Sequence, residues 1–324
     1  MTDAHPTAAS HEPVLLAEVL ACCEALLEQP GPRLWVDATG GRGGHSAALL
    51  DRLAAADRLL ILDRDPEAVA YLRSRFGGDP RVVVHHARFS EMARVLAASG
   101  AQQAQFILAD LGVSSPQLDC AERGFSFLRD GPLDMRMDPG RGMSAAEWLA
   151  GAEVGEIAQV LRDYGEEREA RRIARAIVAA RATTPLTRTS QLADLVTGLL
   201  PRARAQAIHP ATRTFQAIRM HINDELGEIR AFLPAAMDCL APGGRLAVIS
   251  FHSLEDRWIK RFFRADALQP DPDLPLRATE IPESPWFALG RAIRASAAEI
   301  AHNPRARSAL LRVAQKRGGP HRAS

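Results

Sequence analysis

Between residues 33 and 110 the chain alternates short apolar runs with stretches of helix length, and this alternation restricts the fold more than any other feature. The runs are Leu34-Trp35-Val36, Leu59 to Leu62, Val82 to Val84 and Phe106 to Ala109. Strands joined through helical crossovers predict a parallel, doubly wound α/β sheet. After Asp110 the alternation stops. Residues 111–143 are rich in Gly, Pro, Asp and Arg, and helical periodicity follows, with Ile157, Val160, Leu161 and Tyr164 at i, i+3, i+4 and i+7 and Leu192, Leu195, Val196, Leu199 and Leu200 repeating it. An inserted all-helical domain is expected there. Phe215, Ile218, Ile222, Leu226, Ile229 and Leu233 predict one long amphipathic helix that stops before Ala241-Pro242-Gly243-Gly244, after which Leu246 to Ile249 resumes the sheet. Five prolines in 270–285 predict a surface loop, and Ser308 to Ala314 a last, edge strand. The expected division is a first core segment 1–112, a helical insertion 113–213 and a second core segment 214–324.

Composition narrows the function classes. With 47% apolar and 24% charged residues among 324, the chain can bury a core of about two domains. Its apolar stretches are broken well before the ~20 residues of a bilayer crossing, so no membrane span is expected. The first thirty residues hold no basic cluster and are punctuated by Glu12, Glu18, Glu24 and Glu28, so a cytoplasmic location is expected. Cys22, Cys23, Cys120 and Cys239 form no CxxC pair and no zinc-spaced cluster; buried thiols are expected, with neither a disulfide framework nor a metal. Net charge is +1 but uneven. Residues 1–110 hold 10 Arg against 14 acids, a balance of −4, whereas 165–219 hold 10 Arg against 4 acids, a balance of +6. A basic helical insertion beside a more acidic body suits a phosphate backbone as partner. Self-association is left open.

The segment Asp37-Ala38-Thr39-Gly40-Gly41-Arg42-Gly43-Gly44-His45-Ser46 falls where the first strand should turn into the first helix. Glycines there let the backbone approach a ligand and adopt left-handed angles. Asp63 ends the second strand, 63 − 41 = 22 residues beyond Gly41, where a carboxylate can accept from a ribose diol. Together these predict an adenosine-containing cofactor over the carboxyl ends of the strands. A dinucleotide fingerprint wants a third Gly or Ala, and Ser46 stands there. An acid in the first strand followed by clustered glycines instead suits the ammonium and sulfonium of S-adenosylmethionine. A nicotinamide-dependent oxidoreductase and a nucleic-acid-binding module with a purely structural sheet are the competing readings.

Several longer segments carry a resemblance. They are His11-Glu12-Pro13-Val14-Leu15-Leu16, Gly43-Gly44-His45-Ser46, Asp63-Arg64-Asp65-Pro66, Asp110-Leu111-Gly112-Val113-Ser114-Ser115-Pro116-Gln117, Arg123-Gly124-Phe125-Ser126-Phe127 and Ser250-Phe251-His252-Ser253-Leu254-Glu255-Asp256. Tyr164-Gly165-Glu166-Glu167, Thr214-Phe215-Gln216-Ala217 and Asn303-Pro304-Arg305-Ala306-Arg307-Ser308-Ala309 extend it to nearly the whole chain. All resemble the bacterial small-subunit ribosomal RNA methyltransferase H family, also called MraW. The resemblance implies a class I S-adenosylmethionine-dependent methyltransferase sheet, Rossmann-like, with a helical insertion. It further implies N4 methylation of a cytidine (cytosine-1402 in the family) in the decoding region of 16S rRNA, with the rRNA expected as partner within the small ribosomal subunit. Cofactor contacts carried over by motif fall on Gly43, Gly44, His45, Asp63, Phe89, Asp110 and Gln117. One departure stands out: where the family has a short lysine-bearing strand, this chain reads Leu289-Gly290-Arg291-Ala292-Ile293, and Lys260 and Lys316 are its only lysines. Phosphate binding survives that exchange, whereas a step needing a titratable lysine does not.

The exocyclic N4 of cytosine is a poor nucleophile because its lone pair is delocalised into the ring, so alignment with the sulfonium methyl and an acceptor for N4–H carry the chemistry. Asp110, Ser115 and His252 are the candidate catalytic residues, with Asp110 orienting the cofactor amine or N4. The stacking aromatic usual beside such a motif is missing locally and is expected from Phe125, Phe127 or Phe251. Carbon-5 methylation would need a Pro-Cys nucleophile, and deamination a His-x-Glu with Pro-Cys-x-x-Cys; the chain has neither. Arg171, Arg172, Arg175, Arg202, Arg204 and Arg213 are the expected RNA grip, and Asp130 to Met137 a substrate-facing loop or a packing turn.

Overall fold

The computed structural model describes residues 13–100, 103–199, 209–264 and 284–318. The chain divides into two compact units, Met1–Gly112 with Glu228–Ser324, and Val113–Gly227. Arg202, Arg204, His11, Glu12 and most of the proline-rich 270–285 segment lie outside the described residues.

In the first unit the chain runs α1 (Leu16–Leu27), β1 (Leu34–Asp37), α2 (Gly44–Leu50), β2 (Arg58–Asp63), α3 (Pro66–Phe76), β3 (Val82–His86), α4 (Met92–Ala98) and β4 (Ala104–Asp110). The helical unit holds α5 (Ser115–Asp119), α6 (Ala145–Gly151), α7 (Val154–Gly165), α8 (Ala170–Arg181), α9 (Thr189–Leu199) and α10 (Thr212–Ile222). The chain then continues through α11 (Glu225–Cys239), β5 (Leu240–Ser250), α12 (Ser253–Phe263), β6 (Trp286–Ala288), β7 (Ile293–Arg294), α13 (Ala297–His302) and β8 (Leu310–Lys316).

The sheet order is β3-β2-β1-β4-β5-β8-β6, with β7 also on β8. Strands β1 to β5 are parallel, whereas β8 runs antiparallel to β5, β6 and β7. Leu59 to Leu62 and Phe106 to Ala109 are buried without alternation, as strands covered on both faces must be. Trp35 and Phe106 are fully buried, with ring centroids 5.3 Å apart. Each contributes about 2–3 kcal/mol by leaving water. Arg33 ties the start of this layer together: its Nε and Nη2 donate to Asp57 Oδ1 (3.0 Å) and Oδ2 (2.8 Å), and Nη1 donates to the Leu26 and Leu27 carbonyls at the end of α1.

The described residues of the helical unit pack around their own core of Ile157, Leu161, Ile173, Ile177, Leu192, Val196 and Ile218. α7 rests on α8 and α10, and a Cβ at Gly165 would lie 2.7 Å from the Arg213 carbonyl, so glycine permits the close α7–α10 approach. The segment Asp130 to Met137 is a packing turn: Leu133, Met135 and Met137 are buried, and Arg136 pairs in two-pronged fashion with Asp134 (2.9 and 2.7 Å).

Four sequence expectations are corrected. The long helix over 215–233 is two helices, because the chain turns at Asn223 and Asp224. Asn223 is buried, its Nδ2 donating to Met135 O (2.7 Å) and its Oδ1 accepting from Met137 N (2.8 Å), and Asp224 has φ +48°. The boundary expected between 213 and 214 falls after Gly227, since α10 packs on α7 and belongs to the helical core. β8 is internal: short β6 and β7 cover its outer side, segments too brief to signal a strand by periodicity. Of the four thiols Cys23 is buried, Cys22 and Cys239 are half-buried, and Cys120 is exposed at the C-cap of the short α5.

Candidate active site

Strands β1, β2 and β4 all end in aspartate, and because they are parallel and in register, Asp37, Asp63 and Asp110 stand along one edge of the sheet. The turn after β1 is knitted to that edge. Gly40 N–H donates to Leu62 O (2.8 Å), Gly43 N–H to Gly40 O (2.7 Å), and Gly41 N–H to Asp63 Oδ2 (2.7 Å). Thr39 Oγ1 accepts from the Asp110 amide at 2.6 Å. Gly41 and Gly43 have φ +52° and +69°, and a Cβ on Gly43 would sit 2.6 Å from the Phe76 ring. Glycine is required there on both counts.

The carboxylates do different work. Asp37 is 1% exposed; its Oδ2 accepts from Ser46 Oγ (2.5 Å) and its Oδ1 from Thr39 N (3.2 Å). It therefore anchors the turn from within. Burial pushes the Asp37 carboxyl up and the neighbouring His45 imidazole down, against the Ser46 hydrogen bond on one and their mutual attraction on both. His45 Nε2 donates to Val14 O at 3.0 Å, which leaves Nδ1 an acceptor in the neutral ring, 3.7 Å from Asp110 Oδ2. Asp63 uses Oδ1 for Asp65 N (2.8 Å) and Oδ2 for Gly41 N, and each oxygen keeps a further lone pair for a diol. Burial raises its carboxyl to about 6 against those two N–H groups, with Asp65 and Asp37 adding repulsion.

Asp110 differs. Its Oδ1 is buried and has no hydrogen-bond partner, although 27% of the side chain remains open. Burial first, then the charges of Asp37 and Glu255, push its carboxyl up to about 8. A buried acceptor left unmade costs about 1–3 kcal/mol and is retained where a ligand completes it.

Phe89 follows β3 in a 3-10 turn whose preceding Ala87 amide bonds Asp63 O (2.9 Å), and its ring meets Phe232 edge-on at 5.2 Å. Arg88 and Ser90 flank it and both hold Glu228, at 3.0 and 2.6 Å. His252 caps α12: its Nδ1 accepts from Glu255 N (3.4 Å), and Glu255 Oε1 lies 3.2 Å from Nε2. It stands just beyond the end of β5, whose Ile249 pairs with Asp110. Half-buried Phe251 borders the turn after Asp110, 3.6 Å from where a Gly112 Cβ would be. Gly43, Gly44, His45, Asp63, Phe89, Asp110 and His252 thus share one edge of the first unit. Ser115 and Gln117 belong to the helical unit, where Ser115 opens α5 and Gln117 Oε1 accepts from Ser114 N (2.9 Å). Among the aromatic candidates Phe125 is buried, and Phe127 stacks on His209 (4.4 Å) against Phe215. Thr39, Ser46 and Glu255 lie within the quoted segments, but their supporting contacts to Asp110 N, Asp37 and Phe251 N were not assigned from sequence; the nine-residue spacing of Asp37 and Ser46 across a strand-to-helix turn is the signal that could have found one of them.

A glycine turn that excludes Cβ atoms, a carboxylate at the ribose position and an unpaired buried carboxylate oxygen fit a nucleoside ligand bearing cationic groups. With this strand order and its antiparallel β8, they define a class I methyltransferase. The chain belongs to the MraW methylase family, whose model matches residues 8–317. It is 60% identical over 316 residues to the ribosomal RNA small subunit methyltransferase H of Acidithiobacillus ferrooxidans, covering 98% of both chains. To the protein of the same name in Xanthomonas euvesicatoria it is 54% identical, covering 96% of this chain and 90% of that one. An rRNA methylase structure from Streptococcus thermophilus overlaps 94% of this chain and 92% of its own at 10% identity, with a TM-score of 0.39, too distant to bear on the fold. The fold assignment rests on the strand order. S-adenosylmethionine is the methyl donor of the family.

Proposed function

We propose that this protein methylates small-subunit ribosomal RNA, transferring the methyl group of S-adenosylmethionine to the exocyclic N4 of a cytidine in the decoding region of 16S rRNA. The observation that carries the reading is the buried, unpartnered Oδ1 of Asp110 at the strand edge beside the glycine turn and Asp63.

The donor supplies an electrophilic methyl on a sulfonium. Everything else falls to the chain. The Gly40–Gly44 turn brings backbone close to the nucleoside, and Asp63 holds the ribose hydroxyls. Phe89, braced by Phe232, borders the adenine side. Asp110 takes an N–H, either of the donor's ammonium or of the target N4, and thereby keeps the partners aligned. Transfer forms one C–N bond and breaks one C–S bond, and the N4 proton leaves to an acceptor at this edge. Burial that holds Asp110 near neutrality suits it to exchanging that proton. Ser115 and Gln117 open a helix only a few residues after Asp110 in the chain; by the family motif Ser115 is proposed to act on the target base and Gln117 to contact the donor. His252 is proposed to act by position, fixing the first turn of α12 beside β5. Phe251 is proposed as the aromatic wall of the base pocket.

The helical unit is proposed as an RNA-binding domain. On α8, Ile173, Ala174 and Ile177 face the core, while Arg171, Arg172 and Arg175 are exposed. The target base must leave its stack to enter a pocket of this kind, and cations that hold the flanking backbone stabilise that state. A cytoplasmic site of action is part of the proposal, since the substrate is assembled there.

The test is incubation of the protein with labelled S-adenosylmethionine and small subunits from cells lacking the enzyme, followed by nucleoside analysis. N4-methylcytidine is the expected product. Label in 5-methylcytidine, in another nucleoside or in none overturns the reading.

A further inference from the structure

One strongly charged surface of the first unit has no part in the chemistry above. Strands β6 and β7 both pair with β8, yet they are out of step. Ala288 pairs with Ala314 and Ile293 with Leu311, so 293 − 288 = 5 residues span what 314 − 311 = 3 cover on β8. The two extra residues bulge outward through Gly290 at φ +73°, carrying Arg291. Beneath the bulge, between it and α12, lies a cavity of about 440 Å³ lined by Lys260, Arg264, Arg291, Arg294 and Arg312 with one acid, Asp256. That acid is already taken, since Arg312 Nε and Nη2 bind its two oxygens at 2.6 and 3.0 Å.

Five cations against one carboxylate leave a local balance of +4. Lys260, Arg264, Arg291 and Arg294 are exposed and have no ion-pair partner among the described residues, whereas Arg33, Arg81 and Arg88 of the same unit each pair with an acid. Like charges gathered round a concavity repel one another and concentrate anions. A second hollow of about 540 Å³ shares Phe263, Arg264 and Ala288 with the first and adds Trp286, Phe287 and Arg317. Phe287 is 36% exposed, and the Arg317 guanidinium lies 5.2 Å from its ring centre. Cations that follow a backbone next to an open aromatic ring are the elements of single-strand nucleic-acid binding. The position agrees: Leu310, which lines the cavity, pairs with Ser250 at the end of β5, so the groove starts at the sheet edge that carries Asp110.

We propose that this groove is a second docking site for single-stranded RNA, taking phosphodiester groups on Lys260, Arg264, Arg291 and Arg294 and a base on Phe287. The proposal rests on the reading of the protein as an RNA methyltransferase and adds to it a contact borne by the sheet unit rather than by the helical unit.

The experiment measures affinity for a labelled single-stranded fragment of 16S rRNA by anisotropy over a range of salt, for the full chain and for R291E/R294E and K260E/R264E. Each pair is expected to weaken binding about 10–100-fold at low salt and to lower the salt slope by about 1.4, two contacts at 0.7 each. The neutral pair R291Q/R294Q gives a smaller loss of the same kind and replaces the reversed pair should that one fail to fold. F287A is expected to weaken binding several-fold with the slope unchanged. Calorimetric affinity for S-adenosylmethionine stays at the wild-type value throughout. Folded variants with wild-type RNA affinity and slope overturn the docking site. If the wild-type protein also methylates small subunits in parallel, the enzymatic reading stands without it. A wild-type protein that transfers no methyl group overturns that reading, while slope losses in the variants still support the groove.

Discussion

Asp110→Asn separates the charge of the strand-end carboxyl from its shape. In the free protein burial, with Asp37 and Glu255 nearby, pushes this carboxyl up to about 8 from the ordinary 3.8, so at pH 7 it is mostly protonated. A cationic ligand binds the ionised form. Its apparent affinity through Asp110 scales as 1/(1 + 10^(8 − pH)), which between pH 6 and pH 8 changes by 101/2, about 50-fold. The ligand's own amine also titrates near this range, but it does so equally with both proteins and cancels in their ratio. Calorimetry at several pH values should therefore find the wild-type to D110N affinity ratio rising up to about 50-fold from pH 6 to pH 8 and levelling above. The same carboxyl has a stability consequence of opposite benefit. An acid whose folded value lies above its unfolded one is retained at no cost below pH 3.8, and stability is lost as pH rises toward 8. The gap 8 − 3.8 at 1.36 kcal/mol per unit sets a ceiling of roughly 6 kcal/mol, which the 27% exposure of the side chain and local relaxation reduce to about 2–3. D110N should thus resist urea better than wild type at pH 7.5 and equally at pH 3.5, while binding the donor less well. A pH-independent affinity ratio, or a variant that is less stable at pH 7.5, refutes the reasoning.

Three further outcomes follow from the geometry. Gly43→Ala places a Cβ against the Phe76 ring at φ +69° and should cost about 1–3 kcal/mol in melting experiments, with the donor KM raised more than kcat is lowered. Arg33→Ala strands the buried Asp57 carboxylate and two helix-end carbonyls, and denaturant unfolding should show a loss of about 3–5 kcal/mol with no change in donor affinity per folded molecule. Reversing Arg171, Arg172 and Arg175 on the exposed face of α8 should weaken RNA binding and flatten its salt dependence, leaving calorimetric affinity for the donor intact.

How far the sequence speaks depends on whether a residue's role is set locally. The strand ends were legible because a parallel strand buried on both faces is an unbroken apolar run, and the polar residue that ends it must lie at the edge; Asp63 and Asp110 are found where Leu59 to Leu62 and Phe106 to Ala109 stop. The glycine turn was legible for the same reason. The break at Asn223 was not, because the apolar spacing of 215–233 continues smoothly through it, and the competing interaction comes from Met135 and Met137, some 86 residues earlier. β6 and β7 escaped notice since three- and two-residue strands carry no period.

The same distinction separates the three strand-edge acids from each other. Asp37, first in the chain and followed by glycines, looks from sequence like the natural partner of a cationic ligand. Yet Ser46 and the Thr39 amide occupy its oxygens, and it is sealed to 1% exposure. The acid that keeps an unused oxygen is Asp110, three strands on in the chain but adjacent in the sheet, since β4 inserts beside β1. Strand order therefore leaves the carboxylate oxygen without a hydrogen bond on a residue outside the glycine-turn motif. Asp37 still bears on that result: burial first, and then the charge of Asp37, which the Ser46 hydrogen bond favours against burial, raise the Asp110 carboxyl. Ser46→Ala, which frees Asp37 without touching Asp110, should accordingly shift the pH dependence of donor binding rather than abolish it, whereas loss of binding at every pH would place the ligand on Asp37 after all.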